Sequence, residues 1–219
     1  MKCFVGRYIT QWKEAVKMWP IGTYERMVHD IKARENPYLP VTFGVLIADY
    51  RQQRAREYIL NYISRFDKLT GKYINFYLPG YLEERDYGCD GIDIRGTQYK
   101  FSPKEYMQFL ESFSYDFDIE YPYNPVLVLI EYDRGHFKFS RKIIIELDGD
   151  GSKVEQSGRL IEKIVDIAKE YVSLDDFSTR LTQEGIRASL LERVVEGTNN
   201  AMLMSIIKGA KDAMKYRIC

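Results

Sequence analysis

The stretch VTFGVLIAD, residues 41–49, is an apolar run of strand length that is rich in β-branched residues. It shows no alternation of apolar and polar residues, which is typical of a strand covered on both faces. Residues 50–69 carry apolar side chains at spacings of three and four, which predict a helix with Asp49 as its N-cap. Residues 72–81 then have the composition of a second strand. Because strand, helix and strand follow one another closely, we predict a βαβ unit with parallel strands.

The residues after 101 predict two further helices. Ser102 and Pro103 form a helix start, because serine caps the first turn and proline suits the first helical position. This helix should end near Phe113, before an irregular aromatic and acidic segment at 114–124. A strongly periodic apolar pattern predicts the other helix over 154–171.

Between these helices lies a hairpin pattern, NPVLVLIEYDRGHFKFSRKIIIELD, residues 124–148. Its two apolar runs predict strands at 126–132 and 143–147, and the connection through Asp133, Arg134 and Gly135 favours an antiparallel turn. We expect this hairpin to be the antiparallel edge of a mixed sheet.

The flanks and the central loop have weaker patterns. Residues 10–35 predict two short amphipathic helices, broken at Pro20–Gly22. The polar, glycine-containing stretch 82–100 suggests a loop with at most a short strand at 92–94, and the chain is predicted to be helical again from Ser173 onward. The expected organisation is an N-terminal helical segment (1–40), an α/β domain (41–172) and a C-terminal helical segment (173–219).

The order of these elements resembles the thioredoxin-like fold over about residues 41–171. Members of that family place a proline immediately before the third strand, and Asn124-Pro125-Val126 stands at the matching position here. They also place a CxxC motif at the start of the first helix, where this sequence has Arg51-Gln52-Gln53-Arg54, so thiol–disulfide chemistry is not implied. The resemblance implies an α/β fold: a thioredoxin-like mixed sheet with helices on both faces, flanked by N- and C-terminal helical segments.

The composition excludes several classes of function. Lys and Arg together number 32, as do Asp and Glu, so the chain offers no general attraction for nucleic acid or an anionic membrane. Cys3, Cys89 and Cys219 form no CxxC, so neither a disulfide framework nor a zinc site is indicated. No apolar run has the length of a secretory signal or a transmembrane helix, and no glycine-rich phosphate-binding motif occurs. We expect a soluble cytoplasmic protein without a cofactor, a nucleic-acid partner or a membrane partner.

The first candidate site lies where the presumed central strand ends and its helix begins. Asp49, Arg51, Gln52 and Arg54 stand there, and free backbone N–H groups together with arginine side chains could hold an anion. Three further residues are expected at the same end of the sheet and complete the candidate ligand-binding set: Tyr81, Asn124 and Pro125. The alternative is a capped helix whose arginine face is simply solvated.

The second candidate site is acidic. Glu83, Glu84 and Asp86 follow the second strand and could act as catalytic carboxylates, either for acid–base work or with Mg²⁺, and Asp90 and Asp93 belong to the same acidic cluster. The alternative is an exposed acidic loop, because surface loops are polar in any case.

Two other segments are candidates for protein contacts. Tyr115, Phe117, Tyr121 and Tyr123 alternate with acidic residues, and such a segment either binds a partner or folds back on the core. The apolar face predicted over 189–214 packs either on the α/β body or on a second subunit.

These patterns favour a non-redox binding or adaptor protein that recognises a small anionic ligand or a protein partner at the sheet end. Self-association through the C-terminal helices is part of the same hypothesis. The competing hypothesis is a metal-dependent hydrolase or nucleotide-processing effector that uses the acidic loop. A third hypothesis is a subunit of a larger assembly, such as a bacterial stress or defence system.

Overall fold

The computed structural model of the chain describes residues 18–34, 40–69, 73–83, 91–119, 125–147, 154–170, 173–183 and 189–192. Within these ranges the chain is a mixed α/β structure of nine strands and five helices. The strands are β1 (Met18–Ile21), β2 (Val41–Ile47), β3 (Phe76–Pro79), β4 (Tyr81–Glu83), β5 (Gly91–Ile94), β6 (Thr97–Phe101), β7 (Val126–Asp133), β8 (His136–Glu146) and β9 (Ser189–Glu192). The helices are α1 (Tyr24–Arg34), α2 (Gln53–Leu69), α3 (Pro103–Phe117), α4 (Val154–Glu170) and α5 (Leu174–Gln183).

Six strands form one mixed sheet in the order β1-β3-β2-β7-β8-β9. β1, β3 and β2 are parallel, whereas β7, β8 and β9 each run antiparallel to the strand before them in this order. The register pairs Gly44 with Phe76 and Val45 with Tyr77, so the predicted parallel βαβ unit is confirmed. β2 and β3 are almost completely buried, as the unbroken apolar run at 41–47 predicts.

Two buried charged side chains tie helices to opposite faces of the sheet. The Lys142 ammonium in β8 donates hydrogen bonds to the carbonyl oxygens of Phe117 and Asp118 at the end of α3, the latter at 2.8 Å. The Glu131 carboxylate in β7 accepts a 2.7 Å hydrogen bond from the backbone N–H of Leu174 at the start of α5. The strand register places these two side chains on opposite faces, and each satisfies helix-end groups that have no partner inside the helix. α1 lies beside α3 on one face, and α2 and α4 lie with α5 on the other.

The predicted antiparallel hairpin is confirmed, but its position in the sheet is not the expected one. Arg134 and Gly135 form a two-residue turn in which both φ angles are positive, 51° and 85°, as tight hairpins require. β8 begins at His136, well before the expected start at residue 143, because the tight turn lets pairing begin at once. The expectation of an edge hairpin is wrong, since β7 pairs with β2 and β8 pairs with β9.

A second sheet of three short strands, in the order β4-β6-β5, occupies much of the stretch that the sequence suggests is a loop. β5 matches the short strand expected at 92–94. β6 was missed because its polar residues remain half-buried or exposed, so they show no apolar alternation.

Gly80 is the point at which the chain leaves the large sheet for the small one. Its φ is +81°, its N–H donates a 2.8 Å hydrogen bond to the Ile21 carbonyl, and its own carbonyl accepts a 2.7 Å hydrogen bond from the Ser102 N–H. A Cβ at this position would lie 2.6 Å from the Cβ of Tyr106. Glycine is therefore required both by the left-handed backbone and by the close approach of α3.

The N-terminal flank contains a strand where a helix was expected. Met18–Ile21 form β1, which pairs with β3, whereas residues 10–17 of the first predicted helix lie outside the described ranges. The second predicted helix is present as α1, and the Thr23 hydroxyl accepts a 3.3 Å hydrogen bond from the Arg26 N–H at its start.

Two further differences between the predicted and the observed structure concern the later helices. α3 begins as predicted, with the Ser102 hydroxyl accepting from the Glu105 N–H at 3.4 Å, but it continues to Phe117. Residues 189–192 form β9 on the outer side of β8 instead of a helix, and residues 193–219 lie outside the described ranges. None of the helices described has the length and apolar character needed to cross a bilayer.

Candidate functional site

The carboxyl end of β2 and the amino end of β7 meet at one end of the large sheet. Ile47 pairs with Val126, so Pro125 lies beside the last residues of β2. β3 is parallel to β2 and ends at the same level, which brings Tyr81 to this end as well. Asp49 opens the turn from β2 into α2. We call this region, together with the turn before α2 and the first turn of that helix, the sheet end. It gathers six of the seven predicted ligand-binding residues, all except Asn124, which lies outside the described residues.

Asp49 and Arg51 form an ion pair within the turn before α2. Arg51 Nε lies 2.9 Å from Oδ1 and 3.2 Å from Oδ2 of Asp49, and Arg51 Nη2 lies 2.7 Å from Oδ2. The same Oδ1 accepts a 3.0 Å hydrogen bond from the Arg51 backbone N–H, while the Gln52 N–H donates to the Asp49 carbonyl at 2.9 Å. The hydrogen bonds to Asp49 raise the pKa of the Arg51 guanidinium. Asp49 therefore closes the turn before the helix, whereas the sequence suggested that it caps the helix itself.

The first turn of α2 carries positive charge and no acidic residue. Arg54 and Arg56 both project from it and are exposed, and the side chain of Arg51 just before it is 52% exposed. Acidic residues are the favourable choice at this end of a helix because the helix dipole is positive there. Within the described part of the chain, Arg51 Nη1 forms no hydrogen bond, so this guanidinium keeps free donors after it pairs with Asp49.

Four aromatic rings pack beside the ion pair and form what we call the aromatic cluster: Tyr50, Tyr81, Phe101 and Tyr106. Ring centroids lie 5.3 Å apart for Tyr81 and Phe101, and 5.2 Å apart for Phe101 and Tyr106. Tyr50 packs edge-on against Tyr81 at 6.1 Å. Tyr50 and Tyr106 were not predicted as site residues, although Tyr106 lies one turn into a helix that starts at this same end.

The Tyr81 hydroxyl is buried and has no hydrogen-bond partner among the described residues. Burial raises the pKa of Tyr81 and of Tyr106, and the charge on Asp49 raises both further. Both hydroxyls are therefore protonated at neutral pH and can act as hydrogen-bond donors, not as bases. A buried hydroxyl without a partner costs about 1–3 kcal/mol, so Tyr81 is a place where a polar ligand group would be stabilised.

The acidic candidate site is only partly described. Glu83 is exposed at the end of β4, whereas Glu84 and Asp86 lie outside the described residues, as does Asn124 from the first site. Asp93 accepts hydrogen bonds of 3.0 and 2.9 Å within the β5–β6 hairpin, so its role there is structural. Among the residues that the structure describes, no three His, Cys, Asp or Glu side chains come together in a way that could hold a metal ion.

Comparison of the chain with protein-family models, with curated proteins and with solved structures produced no match.

Proposed function

We propose that this chain is a non-redox binding protein of the cytoplasm that recognises a small anionic ligand at the sheet end. The observation that carries the proposal is the unbalanced positive charge at the start of α2. Arg51, Arg54 and Arg56 stand there against the single carboxylate of Asp49, which leaves a formal charge of +2. A bound anion would contact these groups and the N–H groups of the first turn, which have no partner inside the helix.

Asp49 has a positioning role in this proposal. Its bonds to the Arg51 backbone and side chain fix the direction of the guanidinium before a ligand arrives. A donor that is already held in place loses little conformational freedom when it binds, which favours affinity. The Gln52 side chain, half-buried at the same turn, is a further polar contact for the ligand.

The buried Tyr81 hydroxyl supports a polar ligand. An oxygen atom of the ligand that reached this hydroxyl would accept its hydrogen bond and remove the cost of leaving it unpaired. Tyr50 is half-buried and packs against Tyr81, so it would have to turn aside for such a contact. This arrangement favours a small ligand, such as a phosphate or carboxylate group.

The thioredoxin-like arrangement is part of the proposal, and the chain order supports it. β2, α2, β3, α3, β7, β8 and α4 follow one another in the order on which the resemblance rests. Arg51 and Arg54 occupy the two positions that the family gives to cysteine, and this substitution is the reason for proposing a function other than redox chemistry. The small sheet between β3 and α3 is a departure from the simple order.

Titration of the full chain with inorganic phosphate, followed by amide proton–nitrogen NMR, tests this function. We expect saturable shifts at the first turn of α2, and Arg51→Gln should weaken binding about tenfold or more, because a hydrogen bond to a charged group contributes about 1.5–3 kcal/mol. Arg134→Gln is the matched control, since this arginine is 84% exposed in the hairpin turn. Equal weakening by both variants, or the absence of shifts in α2, would contradict the proposal.

The other hypotheses stay predictions. The hydrolase hypothesis depends on Glu84 and Asp86, which lie outside the described residues, and Glu83 alone is one exposed carboxylate. Self-association through the C-terminal helices depends largely on residues 193–214, which also lie outside the described ranges.

A further inference from the structure

An open groove of about 580 Å³ lies between α1, α3 and β8. Its α3 residues belong to the second half of that helix, whereas the sheet end contacts the first turn through Tyr106 and Met107. The groove is therefore a separate region of the molecule. Its volume falls within the range of about 300–1,000 Å³ that is typical of ligand-binding clefts.

The floor of the groove is apolar and firmly packed. Tyr24 is 7% exposed, and its ring packs edge-on against Phe109 at 5.8 Å and Phe113 at 6.1 Å. Its hydroxyl donates a 2.6 Å hydrogen bond to Asp116 Oδ2, which links α1 to α3. Because this link holds the two helices together, the groove is present before any partner binds.

Two exposed aromatic side chains stand along the groove. Tyr115 is 86% exposed and Phe139 is 42% exposed, and they are two of the six large apolar side chains exposed within the described ranges. Exposed apolar side chains that gather at one place, with polar groups around them, mark interaction surfaces more often than scattered ones do. Tyr115 belongs to the aromatic and acidic segment that the sequence marked as a candidate partner surface, while Phe117 of that segment is buried in the core.

The polar part of the lining is acidic. Glu25, Glu111 and Asp116 contribute three carboxylates and Lys32 one ammonium, so the lining has a formal charge of −2 in a chain whose formal charge is zero. Within the described part of the chain, neither Glu25 nor Glu111 takes part in an ion pair. These carboxylates are available to a cationic partner.

We infer that this groove docks an arginine-bearing segment of a partner protein. A guanidinium can stack on an exposed aromatic ring and pair with a carboxylate at the same time, and the groove offers both kinds of group side by side. Its charge is complementary to such a segment and repels an acidic one. The inference concerns residues different from those of the sheet end, so it can fail without affecting the function proposed there.

Two blocked hexapeptides test the inference, one alternating arginine with leucine and the other alternating glutamate with leucine. Titrated into the full chain, the arginine peptide should shift amide resonances in α1, α3 and β8, and the glutamate peptide should not. Raising the salt concentration from about 50 to about 300 mM should weaken the binding, because exposed charges are screened.

Single substitutions locate the contact. Glu111→Gln and Tyr115→Ala should each weaken binding of the arginine peptide about fivefold. Lys32→Gln should strengthen this binding, because one repulsive charge is removed. Glu57→Gln and Tyr73→Ala are matched controls, as both side chains are exposed elsewhere on the molecule and should leave the affinity within about twofold. Each altered side chain is exposed, so these variants are expected to fold.

Three outcomes would overturn the inference. The first is equal binding of the two peptides, and the second is an equal effect of the groove variants and their controls. The third is a dimer in sedimentation that Tyr115→Ala dissociates, because the occupant of the groove would then be a second copy of the chain.

Discussion

The sheet end and the groove carry opposite charges, +2 and −2, within a chain that is neutral as a whole. Each region also contains a buried tyrosine, and the two differ in one respect. The Tyr24 hydroxyl at the groove is bonded to Asp116 at 2.6 Å, whereas the Tyr81 hydroxyl at the sheet end has no partner among the described residues. The groove is therefore already stable as it stands, while the sheet end keeps an unsatisfied donor, as expected where a ligand completes the bonding.

The largest expected effect is a difference in stability between alanine substitutions at two glycines that have similar φ angles. Gly80 at the sheet end and Gly135 in the hairpin turn have φ values of +81° and +85°, but only Gly80 has close neighbours. Gly80→Ala should lower the free energy of unfolding by about 3–5 kcal/mol, since strain and a clash with α3 combine. Gly135→Ala should lower it by about 1–2 kcal/mol, from backbone strain alone. Urea unfolding of both variants measures this, and equal losses would show that α3 does not press on Gly80.

The second effect compares the two tyrosines directly. Tyr24→Phe removes a hydrogen bond to a carboxylate and should lower the free energy of unfolding by about 1.5–3 kcal/mol. Tyr81→Phe removes an unpaired hydroxyl and should change it by less than about 0.5 kcal/mol, or raise it by about 1 kcal/mol. Tyr81→Phe should nevertheless weaken phosphate binding. A marked loss of stability in Tyr81→Phe would mean that its hydroxyl has a partner after all.

The smallest expected effect is a change in how steeply the free energy of unfolding falls with rising pH under alkaline conditions. The pKa of Tyr81 is raised in the folded protein above its ordinary value of 10.0, chiefly by burial, so the folded state keeps this proton after the unfolded state has lost it. The resulting stabilisation is fully present below pH 10 and is lost as the pH rises further. Tyr81→Phe should therefore make the decline shallower by about 0.7 kcal/mol per pH unit at pH 10, rising toward about 1.4 kcal/mol per pH unit at pH 11.

Urea unfolding at a series of pH values between about 9 and 11 measures that slope. Tyr115→Phe is the control, because this tyrosine side chain is 86% exposed and lies away from the sheet end. Identical slopes for the wild type and Tyr81→Phe would show that Tyr81 ionises in the folded protein near its ordinary value.

Elements with a clear local pattern could be predicted from the sequence. The apolar run at 41–47 and the periodic helix after it form β2 and α2, and the Ser102-Pro103 start of α3 has the predicted cap. The last turn of α3 was missed because Tyr115 and Asp116 alternate apolar and acidic character, as a loop would. A signal was present nonetheless: Phe109, Phe113 and Phe117 are spaced by four, and all three are buried.

The short strands at the margins could not be predicted. β1 and β9 have four residues each, and their strand conformation depends on hydrogen bonds to β3 and β8. A segment this short has no periodicity of its own, so tertiary pairing overrides its local preference. The same applies to β6, whose polar residues pair with β4 and β5.

Part of the candidate site could also be predicted from the sequence. The order of the elements predicts that Asp49, Tyr81 and Pro125 lie at one end of the sheet, and the strand registers are consistent with this. The internal pairing of Asp49 with Arg51 was not predicted, because neighbouring opposite charges in a sequence do not show whether they bond to each other.

Residue types and close neighbours along the chain are enough to specify the neutral overall charge, the main strands and helices, and the arginine-rich start of α2. Packing between distant segments buries the Tyr81 hydroxyl with no partner among the described residues, and it lets Tyr24 bond to Asp116, 92 positions away. It also lines one groove with acidic and aromatic residues of α1, α3 and β8. The reason is physical: contacts between distant segments depend on how whole faces pack, which no local pattern specifies.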